Sequence, residues 1–228
     1  MKLKHFYFNP FHEHCGIASD TAGNAVIVDP GAMTDVERQS LTDYFEEEDI
    51  TPFAVFLTHS HFDHIYSVKY LQDRYGIPVY MHPDEKPMLE IVVEESGNFN
   101  MPEPDITFKT TDVYDGQSIK VGDMGFRVIH TPGHTPGGVC YYNREDAILF
   151  SGDTLFAGTI GRSDLRGGDY DKEIVAIMEK LMVLDPDTEI FPGHGCCSSI
   201  GRERTCNPFL EPFNEPEELP QMEDCKDE

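Results

Sequence analysis

Apolar and polar positions along this chain switch between two periods. Residues 3–8 are apolar and aromatic, and residues 16–19 and 24–28 flank the turn Asp20-Thr21-Ala22-Gly23, the pattern of a hairpin. The second of these strands runs into Asp29-Pro30-Gly31. Over 34–48 the period lengthens: Val36, Leu41 and Phe45 recur at one-face intervals behind Thr34, an N-cap residue. Residues 53–57 form a continuous apolar run that ends at Thr58-His59 and reads as a buried strand. Helical spacing returns over 63–75 through Ile65, Val68, Tyr70 and Leu71, and a short strand follows at 78–81. Beyond it the pattern predicts a helix over 84–95 and a loop over 97–105, where Phe99 and Met101 either line a pocket or pack. Strands follow near 107–109, 118–121, 125–130, 138–142 and 147–151, then a helix over about 171–183 and a last strand over 189–191.

Two halves that each mix sheet and helix predict an α/β (α+β) fold, an αββα sandwich of two mixed sheets flanked by helices. Composition changes after residue 206. Residues 207–228 hold four prolines and eight acids against one lysine, so the expected division is a domain over 1–206 and an acidic, proline-rich tail over 207–228. The length of 228 residues suffices for a large buried core. No apolar run approaches the ~18–20 residues that span a bilayer. The first residues lack a signal-peptide pattern, which makes the cytoplasm the expected compartment. Charge sharpens the choice of partner. At −25, from 42 acids against 17 Lys+Arg, the surface repels phosphate backbones and anionic lipid. A small molecule is therefore the expected partner, with neither nucleic acid nor membrane; oligomeric state is not read from the sequence. The six cysteines form no CxxC pair, and Cys196 and Cys197 read as structural.

The chemistry concentrates in Thr58-His59-Ser60-His61-Phe62-Asp63-His64. Four metal-ligand side chains fall within six residues. His59 and His61, two apart, point to one side of an extended segment. Asp63 and His64 follow where the chain turns into a helix. Imidazole and carboxylate together suit zinc, iron and manganese. Three later residues share a setting: His134 in Thr131-Pro132-Gly133-His134, Asp153 in Ser151-Gly152-Asp153, and His194 in Phe191-Pro192-Gly193-His194. Each follows a strand and stands beside glycine, which lets a ligand approach the backbone closely. A histidine after a strand is usually structural, but five histidines and two aspartates in this order make a metal site the better reading. His5, His12, His14, His82 and His130 match no pattern and read as non-ligands.

In this order and spacing, residues 58–64, 131–138, 151–156 and 191–195 resemble the sequential motifs of the metallo-β-lactamase superfamily. The resemblance covers roughly residues 5–206. It implies that His59, His61 and His134 hold one metal ion, that Asp63, His64 and His194 hold a second, and that Asp153 bridges them. It implies a supporting role for Asp29. Residues 151–169 are also similar to the glyoxalase II (hydroxyacylglutathione hydrolase) group, as are 201–210 around Asn207-Pro208-Phe209-Leu210. The implied activity is thioester hydrolysis, for example of S-lactoylglutathione, by a metal-activated water, with Asp63 orienting the water. Two divalent ions per chain are expected, zinc first, with iron or manganese compatible. Arg162 is a candidate partner for a substrate carboxylate. The alternatives are a persulfide dioxygenase-like enzyme using a single iron, and a hydrolase of lactones or phosphodiesters. A closed structural zinc module is disfavoured, because such sites are usually cysteine-rich.

Overall fold

Residues 1–213 are described by a computed structural model, in which two six-stranded sheets stack face to face. The first sheet runs, in order, β1 (Lys2–Phe8), β2 (Glu13–Ser19), β3 (Asn24–Val28), β4 (Thr51–Phe56), β5 (Val79–Met81) and β6 (Thr110–Asp112). Strands β1 to β3 are antiparallel, and β3 to β6 are parallel. The second sheet is built from β7 (Ser118–Val121), β8 (Met124–His130), β9 (Val139–Asn143), β10 (Ile148–Gly152), β13 (Glu189–Pro192) and β14 (Ser198–Ser199). Its spatial order is β14-β13-β10-β9-β8-β7, with only β10 and β13 parallel. A two-residue hairpin, β11 (Leu155–Phe156) and β12 (Thr159–Ile160), projects beyond β10.

Strand periodicity explains the layers. In β3, Val26 and Val28 enter the apolar cluster between the sheets, whereas Ala25 and Ile27 enter a second cluster beneath the helices. Strand β4 divides likewise, with Ala54 and Phe56 inward and Val55 outward. In the second sheet Val128, Tyr141 and Phe150 face the first sheet, and Ile129, Cys140 and Leu149 face a third cluster. Strands buried on both faces read as unbroken apolar runs, as residues 54–57 do, while Phe53 at the start of the run is exposed. Helices α1 (Asp35–Glu47), α3 (Val68–Tyr75) and α4 (Lys86–Asn98) cover the first sheet. Helices α5 (Tyr170–Ala176) and α6 (Ile200–Cys206) cover the second, completing the αββα sandwich. No helix among the described residues is long and apolar enough to cross a membrane.

Several boundaries differ from the sequence reading. Thr34 caps α1 with a reciprocal bond to Glu37, as expected. The helix read over 63–75 is two, α2 (Phe62–Ile65) and α3. Ser67 donates both its N–H and its hydroxyl to Pro30 O, each at 2.9 Å, so the chain spends there the bond that would continue the helix. The helix read over 84–95 begins as a 3₁₀ turn at Pro83–Glu85 and extends to Asn98, shortening the expected loop. The strand expected at 107–109 lies at Thr110–Asp112, where pairing with β5 places it. The 171–183 helix loosens into a π-turn over Ile177–Leu181. Helix α6 was not legible. Past residue 206, Pro208–Phe213 forms a 3₁₀ turn, with Leu210 buried in the third cluster. The remainder of the expected tail, 214–228, lies outside the described residues.

Candidate metal centre

Every predicted ligand sits just past the end of a strand, along one edge shared by both sheets. His59 and His61 follow β4, and Asp63 and His64 open α2; His134 lies between β8 and β9. Asp153 follows β10, and His194 follows β13. The structure brings all seven together, in two groups. His59, His61, His134 and Asp153 offer atoms within 4.8 Å of one another, as do Asp63, His64 and His194. Asp153 stands between them: Oδ1 is 3.6 Å from His64 Nε2, and Oδ2 is 3.7 Å from both His134 Nε2 and His194 Nε2. Asp63 Oδ2 is 3.3 Å from His194 Nε2.

The imidazoles are aimed from behind. His134 Nδ1 donates to Arg162 O at 2.8 Å, and His194 Nδ1 to Phe11 O at 3.1 Å. His64 Nδ1 donates to Asp29 Oδ2 at 3.2 Å, and His59 Nδ1 lies 3.0 Å from Thr58 Oγ1. These bonds fix the tautomer and leave Nε2 as the bare nitrogen facing the centre. His61 presents Nδ1 instead, 3.1 Å from His59 Nε2 and 2.9 Å from His134 Nε2. His64 Nε2 and His194 Nε2 are 3.2 Å apart. Two atoms about 2.0–2.1 Å from one ion at the tetrahedral angle are about 3.3 Å apart, so these separations fit bound divalent cations.

Electrostatics agrees. Burial, then the neighbouring imidazoles, holds His59 well below the ordinary histidine value, and burial with His134 pushes His61 down to about 3. Both therefore keep their lone pairs at neutral pH. Burial opposes charge on His64, yet Asp153, Asp63 and Asp29 outweigh it and raise its pKa, the mark of a site whose field favours cations. Asp153 Oδ1 is buried without a hydrogen-bond donor among the described residues. Glycine makes room for it: a Cβ on Gly193 would fall 2.2 Å from Asp153 Oδ1 and 2.6 Å from His64 Cε1. Gly152 adopts φ +51° against Thr58, where a side chain would be strained.

Asp29 lies behind this centre, accepting from Thr58 N at 2.7 Å and Thr58 Oγ1 at 2.5 Å in addition to His64. Sequence reasoning missed a second carboxylate, Glu85, which is fully buried. It accepts from Ser60 N at 2.9 Å, Ser60 Oγ at 2.6 Å and Gly137 N at 2.8 Å, clamping the 58–64 segment to the loop that carries His134. Glu85→Ala strands those three donors. An expected loss on the order of 3 kcal/mol is read from urea unfolding, and an unchanged midpoint would show that the clamp is not energetically coupled. Phe11 and Arg162 were also missed as orienting residues, because each acts through its carbonyl and leaves no side-chain signal.

The remaining candidates fall elsewhere. The Arg162 guanidinium is exposed and held by Asp164 through two bonds of 3.0 Å. Phe99 lines the cavity above the centre, whereas Met101 packs against the first core cluster. Cys196 and Cys197 are exposed, and Cys196 lines the same cavity. His82, Asp84 and His130 also lie close together. The two rings stack at 4.1 Å and 7°, so their nitrogen lone pairs lie in separate, nearly parallel planes and no one ion sits in the plane of both.

Comparison with known proteins agrees with this geometry. The family model for the metallo-beta-lactamase superfamily matches residues 10–194. The hydroxyacylglutathione hydrolase GloC of Haemophilus influenzae is 34% identical over 206 residues, covering 88% of this chain and 93% of its own. The probable metallo-hydrolase YqgX of Bacillus subtilis is 37% identical, covering 83% of this chain and 88% of its own. Among solved structures, BLEG-1 B3 metallo-beta-lactamase superposes with a TM-score of 0.84 at 36% identity, over 92% of this chain and 99% of its own. TTHA1623 in a di-iron-bound form superposes at 0.82 and 34%, over 91% and 100%. With the fold, the strand-end His/Asp cluster and the matched span in accord, the chain belongs to the metallo-beta-lactamase superfamily of metal-dependent enzymes.

Proposed function

We propose that this chain is a binuclear metallo-hydrolase that cleaves thioesters. One observation carries the reading: two sets of largely buried ligand atoms, four of the five imidazoles aimed from behind, share the single carboxylate of Asp153. His59, His61 and His134 would hold one ion, Asp63, His64 and His194 the other, with Asp153 between. When bound, such ions supply an acidified water and an electrophile for a carbonyl oxygen. The chain's own groups then position the reactants. The Asp63 carboxylate, beside His194 and kept ionised by His64 and His194 against its burial, accepts a hydrogen bond from the attacking water and orients it. Asp153 Oδ1 and Oδ2 keep the two halves in fixed relation. A thiolate leaves without a proton, so no side-chain acid is required at the sulfur. Similarity to a hydroxyacylglutathione hydrolase supports the thioester class, and the di-iron-bound neighbour supports two ions per chain; the imidazole and carboxylate ligands suit zinc, iron or manganese. The partner is a small molecule.

The test is metal analysis of the purified protein with thiol release followed from S-lactoylglutathione and from a small neutral thioester. Release that requires two ions per chain is expected. A fully loaded protein that releases no thiol from either would end the thioester reading. One iron per chain with persulfide-dependent oxygen uptake would replace it with the oxygenase.

A further inference from the structure

The metal centre forms the floor of a cavity of about 690 Å³, within the range that encloses a small organic molecule. One wall is aromatic. Phe11 follows β1, Phe62 opens α2 and Phe99 ends α4, and their ring centroids lie 5.4, 5.8 and 5.7 Å apart, each ring touching the other two. Phe62 is buried, but Phe99 remains 53% exposed at the lip despite both ring contacts. A large ring held open beside a catalytic centre is apolar surface that a ligand can cover. Across the cavity the β11–β12 hairpin presents Phe156 and Ile160.

Charge on the walls is sparse. Apart from the metal-ligating set, the charged lining residues are Glu95 and Arg162. Asp164 already occupies the fork of Arg162 with two bonds of 3.0 Å. Glu95 is an acid, raised by burial above its ordinary value, and in its ionised form it repels an anion. A carboxylate carried on the remote part of a substrate would therefore lose water on this wall without gaining an unengaged cation. It would also approach a chain of net charge −25.

We propose that this cavity selects thioesters whose remote acyl and thiol portions are uncharged and apolar, seated against Phe11, Phe62 and Phe99, over thioesters of anionic thiols such as glutathione. The selection rests on the thioester reading given above. Phe99 acts as a specificity determinant, because covering its ring rewards each added methylene of the substrate by about fourfold.

The experiment uses the full chain, metal-loaded and metal-counted, with acetyl, butyryl and hexanoyl thioesters of N-acetylcysteamine and the same three acyl groups on glutathione. The thiols are chemically similar, so kcat/KM reports recognition. The neutral series is expected to exceed the glutathione series by at least about tenfold and to rise with chain length. Phe99→Ala should lower the hexanoyl-to-acetyl ratio several-fold, and Glu95→Lys, which places a cation on the wall, should raise turnover of the glutathione series relative to the neutral one. Glutathione thioesters that match or exceed the neutral ones, or a hexanoyl-to-acetyl ratio that Phe99→Ala leaves unchanged, would overturn the assignment. If no thioester is hydrolysed, the activity reading fails by itself. Calorimetry then decides the pocket: hexanoate binding the loaded protein more tightly than glutarate upholds it, and equal or reversed affinities refute it.

Discussion

Asp153→Ala is expected to lower kcat/KM by about a thousandfold or more, equivalent to several kcal/mol of transition-state stabilisation. The metal content should fall from the two ions per chain proposed above to one or fewer. The reason is positional. Asp153 stands between the two groups, with Oδ1 at 3.6 Å from His64 Nε2 and Oδ2 at 3.7 Å from His134 Nε2 and His194 Nε2. No neighbouring donor among the described residues uses Oδ1, so removing the carboxylate breaks no structural hydrogen bond there. The fold should therefore survive, and the loss should appear in metal stoichiometry and turnover together. Full activity in a metal-loaded Asp153→Ala protein would show that the two groups do not act as one centre.

Asp29→Ala should be the most damaging change outside the ligand set. Its carboxylate accepts from Thr58 N, Thr58 Oγ1 and His64 Nδ1, all buried, at 2.7, 2.5 and 3.2 Å. Deleting it leaves Thr58 N and His64 Nδ1 unpaired and removes the acceptor of the Thr58 hydroxyl, which keeps only His59 Nδ1, and the expected loss is about 3–5 kcal/mol in urea unfolding of metal-free protein. Metal affinity should fall by about 10–100-fold, the usual effect of losing an orienting partner. Asp29 also occupies the left-handed region at φ 48°, which alanine tolerates less well than aspartate or asparagine. Asp29→Asn separates the effects: it keeps the backbone and one acceptor while removing the charge, so its stability loss should be smaller and its metal loss similar. Equal stability of Asp29→Ala and wild type would remove Asp29 from the support of the 58–64 segment.

Much of this centre was legible in the chain because its signals are local. A ligand residue placed after an apolar run and beside glycine announces itself without tertiary information, as His194 does after Phe191-Pro192-Gly193. The supporting groups announce nothing. Glu85 looks like any acid at a helix start until Ser60 and Gly137 close on it, 25 and 52 residues away. The carbonyls of Phe11 and Arg162 belong to every residue alike. Secondary structure divides on the same line. The capped helix α1 was readable from Thr34, whereas the break at Ser67 depends on Pro30, 37 residues away in sequence.

By itself, then, the sequence determined the layer order, through strand runs buried on both faces and helices with one apolar face, and it singled out the seven His/Asp side chains that the fold brings together. Tertiary structure alone decided which nitrogen of each imidazole faces the centre and that Asp153 reaches both groups. It also decided that Arg162 is engaged by Asp164 and that three phenylalanines from three separate elements form one wall. The physical reason is range. Periodicity, capping and backbone freedom act over a few residues and are written in them, while hydrogen-bond partners and pocket walls exist only once distant strand ends share an edge.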